Sequence, residues 1–375
     1  MRFILTFCFC LTASLAFAQS AIRETLQPFV DAQTMAGFVS ILAAPDYSLQ
    51  VECVGWADVE NKIPMRPDTM FAIFSSSKSV CGAALMMLID EGKISLDDPV
   101  SKYLPEFADV KIEVKQADGS VKLEAPKREL TIRDCMSHVT GARMGFPLRE
   151  KPLREVARQL AATPLKFQPG ETFSYGNAWI DTGAAILEVV SGMKYEEFLQ
   201  KRIFDPLGMV DTTFWPNTEQ QKRMAKCYNG DGKPVKDARH AWLTFPQPLE
   251  VVYSDAAGGL YSTPRDFIKF SQMLAHHGEY KGKRLISQKT FDEILSVKQT
   301  PEGLTETYTV GNWIFGAWLG HEGALRTDAR ANIKTGCSRL YFVQTTAGPA
   351  FAESKKKWHE TADRLQGTEP PYRGN

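Results

Sequence analysis

Neither sign of charge predominates in this chain: 44 lysines and arginines stand against 44 aspartates and glutamates. That balance gives no electrostatic case for nucleic acid or for an anionic membrane surface. Cysteine is sparse and unpatterned. Cys8 and Cys10 fall in an N-terminal leader, and Cys53, Cys81, Cys135, Cys227 and Cys337 are odd in number without framework spacing, so a disulfide scaffold is not expected. Beyond the leader no apolar run is long enough to span a membrane. No Gly-x-Ser-x-Gly elbow occurs, which argues against an α/β-hydrolase. His321-Glu322 begins a His-Glu-x-x-His, but Leu325 stands where the second histidine is required, so a zinc protease is out. Gly278 to Lys283 is one residue short of a phosphate loop. No metal or cofactor is implied, and no internal repeat is apparent.

What is present begins with a secretory pattern. Arg2 supplies a positive end, Phe3 to Ala16 an apolar core, and Ala16-Phe17-Ala18 a small-x-small cleavage site. Residues 1–18 are therefore expected to be a signal peptide, and the mature chain to be exported to a bacterial periplasm or beyond. Loss of Arg2 moves the net charge from 0 to −1, because the leader holds no acidic residue. The remaining length holds one large domain or two lobes.

Hydrophobic spacing orders the elements. A helix is predicted over Ala21 to Gln33, with Pro28 inside it, then paired strands at Phe38 to Leu42 and Leu49 to Gly55. A long helix ends near Gly92, and Val110 to Leu123 reads as an inserted hairpin around Asp118-Gly119. Helices follow at Leu153 to Ala161, Ile180 to Val190, Tyr195 to Ile203 and from Thr263-Pro264 through Leu274. Strands return at Trp313 to Trp318, Ala324 to Ala331 and Arg339 to Gln344, and an amphipathic helix spans Phe351 to Leu365. The expected fold class is α/β (α+β): an antiparallel sheet flanked by terminal helices, with a large inserted all-α lobe. The α/β lobe is placed at about 19–75 and 255–350 and the helical lobe at about 76–254. Residues 351–375 form the last helix and a frayed tail.

The chemistry is carried by Ser75 and Lys78, in Phe71-Ala72-Ile73-Phe74-Ser75-Ser76-Ser77-Lys78. One helical turn puts hydroxyl and amine on the same face. A serine is a poor nucleophile until a neighbouring base takes its proton, and a buried lysine is suited to that task. Ser-x-x-Lys occurs three times. Ser191…Lys194 follows a helix ended by Gly192, and Ser354…Lys357 lies in a charged tail segment. Only Lys78 is followed by a buried helical pattern, Val80, Ala83, Ala84, Met87 and Leu88.

With these residues the chain resembles the serine β-lactamase and penicillin-binding-protein superfamily, most closely its class C-like and family VIII esterase branch. The likeness also runs through Leu130-Thr131-Ile132-Arg133-Asp134, Ser137-His138-Val139-Thr140-Gly141, Phe167-Gln168-Pro169-Gly170, Pro206-Leu207-Gly208-Met209 and Gly258-Gly259-Leu260. The family's Tyr-x-Asn occurs once, as Tyr175-Gly176-Asn177. A phenol beside an ammonium is favoured as its anion, so Tyr175 is expected to share with Lys78 the proton taken from Ser75, and Asn177 to hold Lys78 and the substrate. Lys334-Thr335-Gly336 spells the family's third motif but reads as a turn between strands; the matching position is His321-Glu322-Gly323. By resemblance His321 lies near the Tyr175 hydroxyl, Gly323 gives the substrate room, and the N–H groups of Ala324 and Ser75 form an oxyanion hole. A Glu322 carboxylate facing the cleft would repel anionic substrates and suit a neutral ester or an amine. The resemblance implies a serine hydrolase acting through a Ser75 acyl-enzyme on a small ester, peptide or β-lactam. An esterase is favoured. The alternatives are a D-Ala-D-Ala carboxypeptidase, a D-aminopeptidase, a class C-type β-lactamase and a silent penicillin-binding-like receptor.

Overall fold

The computed structural model describes residues 21–142, 151–229, 254–296, 307–346 and 348–369. Gly37–Ala43 (β1) is buried at every residue, which a strand achieves only inside a sheet covered on both faces. The other strands of that sheet are β2 (Leu49–Asp58), β3 (Ile63–Pro64), β4 (Thr307–Thr309), β5 (Asn312–Phe315), β6 (Trp318–Glu322), β7 (Thr327–Asn332) and β8 (Ser338–Phe342). Their spatial order is β4-β5-β6-β7-β8-β1-β2-β3, and every pairing is antiparallel. The N-terminal hairpin is thus sewn to strands from the far end of the chain, with Ile41 opposite Leu340.

Alternation along β1 assigns the two covers. Phe38 and Leu42 face a cluster with Ile22 and Leu26 of α1 (residues 21–31) and Phe351, Trp358 and Ala362 of α7 (Pro349–Gln366). Trp358 Nε1 donates to Ser40 Oγ at 2.7 Å on the same face. Val39 and Ile41 face the opposite cluster, which includes Phe267 and Phe270 of α6 (Pro264–Ala275) and the long helix α2 (Ser77–Asp90). Every residue of α2 from Ser77 to Leu88 is buried. A helix apolar on all sides belongs in the middle of a protein. Between α2 and α6 come the hairpin Ile112–Lys115/Val121–Glu124 and the helices α3 (Ile132–Met136), α4 (Leu153–Ala161) and α5 (Ala178–Ser191). Helix α5 packs on α2, α3 and α4.

Two expectations are corrected. The apolar run Trp313 to Trp318 is not one strand: Gly316 at φ +60° turns the chain, so Trp318 opens β6 rather than closing β5. A glycine within an apolar run is easily read as a pause, but here it reverses direction. Ser354 does not sit in a charged tail; it is buried inside α7, with its hydroxyl 2.9 Å from that of Tyr341. No helix among the described residues is long and apolar enough to cross a membrane.

Candidate active site

A strained turn presents Ser75. Phe74 has φ +42°, a left-handed value that bulky side chains resist, and Phe74–Ser76 form one 3₁₀ turn running into α2. The turn is tied to the sheet: Ser76 Oγ donates to Thr327 O at 3.1 Å, and Thr327 Oγ1 donates to Ile73 O at 3.2 Å. Gly323 permits that approach, because a Cβ there would lie 2.3 Å from Ile73 O.

Lys78 is wholly buried one helical turn later. Its Nζ donates to Ala257 O at 2.7 Å and to Asn177 Oδ1 at 2.8 Å, and lies 2.9 Å from Ser75 Oγ. The first two are carbonyl oxygens and can only accept. They hold two N–H bonds and leave the remaining corner of the nitrogen aimed at the Ser75 hydroxyl. As an ammonium it donates there; as an amine its lone pair meets the hydroxyl proton. The Ala257 carbonyl is itself fixed. Asp181 Oδ1 accepts from Ala256 N–H and Asp255 Oδ1 from Ala257 N–H, each at 2.9 Å.

Tyr175 lays its ring 5.0 Å from Lys78 Nζ, measured to the centroid, while its hydroxyl pairs with His321 Nε2 at 3.4 Å. His321 Nδ1 is 2.9 Å from the Glu322 carbonyl oxygen. A carbonyl cannot donate, so Nδ1 bears the hydrogen and Nε2 is the acceptor for the Tyr175 hydroxyl. Burial, with the nearby Lys78 charge, holds the His321 imidazole well below its ordinary value, and the ring is neutral at pH 7. Around this pair stand Phe173, Tyr308 and Trp313. Trp313 stacks near-parallel on Tyr175, with centroids 6.3 Å apart, and meets Tyr308 edge-on at 4.9 Å.

Glu322 does not face the cleft. Residues alternate along β6, so His321 points to α2 and α6 while Glu322 points to the terminal helices. Its carboxylate accepts from Arg326 Nη1 at 2.8 Å and from Lys355 of α7, whose Nζ also lies 3.1 Å from Asp328. The expected repulsion of anions is therefore absent. Ala324 also departs from expectation: it is exposed in the turn between β6 and β7, closed by Arg326 N–H to Gly323 O at 2.8 Å, rather than in a strand. Lys334 is exposed in the turn between β7 and β8, at the opposite end of those strands from His321. Asn332 Oδ1 accepts the N–H groups of Lys334 and Thr335 there.

Of the residues the sequence brought forward, Ser75, Lys78 and Asn177 form one hydrogen-bonded set, whereas Tyr175 sets its ring beside Lys78 and turns its hydroxyl to His321 rather than to the Ser75–Lys78 pair. The sequence missed Ala257, His138, Tyr308 and Trp313. Gly258-Gly259 beside Ala257 was the available signal, since paired glycines mark a close backbone approach. The five cysteines among the described residues are free. Burial pushes the thiols of Cys81 and Cys227 up to about 12, so neither is a competing nucleophile.

A family model described as Beta-lactamase matches residues 22–363. The chain belongs to the beta-lactamase family. This is a family of serine hydrolases that share a mixed α/β fold, and it includes esterases and penicillin-binding-like proteins among the relatives of this chain. Protein Rv1367c of Mycobacterium tuberculosis is 29% identical over 322 residues, covering 83% of this chain and 79% of its own. Esterase EstB of Burkholderia gladioli is 30% identical over 265 residues, 63% of this chain and 64% of its own. Among solved structures, unliganded simvastatin synthase LovD of Aspergillus terreus superposes with a TM-score of 0.74 at 20% identity, covering 94% of this chain and 99% of that one. At that identity the likeness concerns the fold.

Proposed function

We propose that this chain is an exported carboxylesterase-type enzyme that forms an acyl-enzyme on Ser75. The observation that carries this reading is the Lys78 nitrogen, clamped by two carbonyl oxygens with its remaining corner on Ser75 Oγ. Ser75 Oγ attacks the ester carbonyl as its proton passes to the Lys78 amine. The tetrahedral oxyanion sits between the N–H groups of Ser75 and Ala324, each such donor contributing about 3 kcal/mol. The proton then goes to the departing alkoxide, and the alcohol leaves. A water then attacks the acyl carbonyl as the Tyr175/Lys78 pair takes its proton; the bond from the acyl carbon to Ser75 Oγ breaks, the proton returns to that oxygen, and the acid is freed.

The ester preference has physical support. An anionic β-lactam or peptide needs a fixed cation. Lys334 is at the wrong end of its strand, Arg326 is held by Glu322, and His321 is neutral. Half-buried Trp313 and the adjoining aromatic rings instead favour an apolar substrate. Esterase EstB and a lovastatin esterase of Penicillium rubens among the relatives agree with this choice. The test is a turnover panel: a short-chain p-nitrophenyl ester, a chromogenic cephalosporin and a D-alanyl peptide, with mass spectrometry of Ser75. Ester turnover with an acylated Ser75 is expected. Fast cephalosporin turnover with negligible ester cleavage would overturn the preference. Export rests on the pattern of residues 1–18; cell fractionation, with N-terminal sequencing beginning at Gln19, checks it.

A further inference from the structure

His138 holds a conformation that nothing in its own packing requires. Its φ is +59°, a left-handed value uncommon for a side chain with Cβ, and an outlier of that kind points to a constraint imposed from elsewhere. The residue is buried, and its Nε2 has no hydrogen-bond partner among the described residues. A buried ring nitrogen left unsatisfied is a second departure from ordinary packing.

The backbone angle is explained by what the residue grips. Its carbonyl oxygen accepts from Ser174 N–H at 2.8 Å. Its ring Nδ1 accepts from Gly176 N–H at 3.4 Å. Between those two anchors lies Tyr175, and the His138 ring packs directly on the phenol, with centroids 4.4 Å apart. Tyr308 closes the other side of the imidazole at 4.6 Å, and Phe173 meets it edge-on at 5.8 Å. Turning the backbone to an ordinary φ would withdraw either the carbonyl or the ring from this grip. An imidazole whose Nδ1 accepts must carry its hydrogen on Nε2, which is the atom left without a partner.

We propose that His138 is the positioning residue for Tyr175: it clamps the backbone on both sides of the phenol, keeping the ring beside Lys78 and the hydroxyl on His321 Nε2. This rests on the hydrolase reading above. The neutral ring is a condition of the clamp, since a protonated Nδ1 would have no lone pair for Gly176 N–H. Burial, with Lys78 and His321 close by, holds the imidazole well below the usual histidine range, so the acceptor persists where an exposed histidine would charge.

The experiment compares His138→Asn with His138→Leu in the full chain. Asparagine places its side-chain oxygen near the position of Nδ1 and tolerates positive φ; leucine keeps apolar bulk and offers no acceptor. For ester hydrolysis, kcat is expected to fall tenfold or more in the leucine variant, with KM within twofold, because misplacing a catalytic group acts on the chemical step. The asparagine variant should recover most of that loss. Should the leucine variant fail to fold, His138→Gln takes its place, its acceptor displaced by one bond; a threefold or greater fall in kcat at unchanged melting temperature is then expected. A folded leucine or glutamine variant with parental kcat would overturn the proposal. So would equal loss of activity and of melting temperature in the asparagine and leucine variants, the mark of a residue that only fills the core. The rate of Ser75 labelling by a fluorophosphonate is measured in parallel. If the parent labels but hydrolyses no ester, the substrate reading fails, while the effect of His138 is still read from the labelling rates.

Discussion

Glu322 offers the sharpest test of the geometry, because its two possible orientations predict opposite results. Facing the cleft, its carboxylate would repel anionic substrates, and Glu322→Ala would raise activity on them. In the structure it is held by Arg326 at 2.8 Å and by Lys355, with side-chain exposures of 19%, 29% and 14%. Removing one member of a buried ion pair costs about 3–5 kcal/mol when the partner is left alone. Here Lys355 keeps Asp328 at 3.1 Å, and Arg326 keeps its place over the Phe351 ring at 5.2 Å. The expected cost is therefore about 1–3 kcal/mol, which for a chain of this size lowers Tm by roughly 2–4 °C. Two matched esters, one neutral and one bearing a distal carboxylate, supply the kinetic assay. Their kcat/KM ratio should stay within twofold of the parent. A gain of fivefold or more for the anionic ester, with Tm unmoved, would refute the orientation and the alternation argument behind it.

Other perturbations separate chemistry from scaffold. Ser75→Ala should abolish fluorophosphonate labelling and lower ester turnover by about 10⁴-fold or more, read by intact-protein mass spectrometry and initial rates. Lys78→Met should slow single-turnover acylation by about 10²–10⁴-fold, the range for losing a positioned base; acylation within threefold of the parent would remove lysine from the proposed mechanism. Lys334→Ala should leave kcat/KM within twofold for every substrate tried, since that residue belongs to an exposed turn. Stability should fall with acid earlier than carboxylates alone would cause. His138 and His321 are held well below 6.5 by burial, and His359 is lowered to about 4 for the same reason. The unfolded chain then binds more protons than the native one, so stability is full above about pH 6.5 and declines towards pH 4. A Tm that is flat from pH 7 to pH 4.5 would contradict this.

Much of the site was legible because its chemistry depends on residue type at short range. Ser75 and Lys78 are one helical turn apart, and the run that buries the lysine follows at once. Tyr175 and Asn177 form a compact motif before a helix. The third position required choosing between two candidates by their neighbours: Lys334 sits among turn formers, whereas His321 ends a strand. What escaped was set by contacts across hundreds of residues. Ala257 matters through its carbonyl, which any residue possesses, so side-chain chemistry could not announce it. His138 is one histidine among six until its backbone angle and its grip on Tyr175 are seen. The orientation of Glu322 depended on strand phase. A turn at Gly316, hidden in an apolar run, began a new strand at Trp318 and so fixed which face each residue of β6 would take.

By itself, then, the sequence determined the order of the elements, the buried helix and a nucleophile with its amine, because local periodicity and hydrophobicity suffice for these. Tertiary structure decided which carbonyls hold the amine, which histidine braces the phenol and which way the acidic side chain turns. Those outcomes depend on register and on long-range pairing, where a shift of one residue reverses a face.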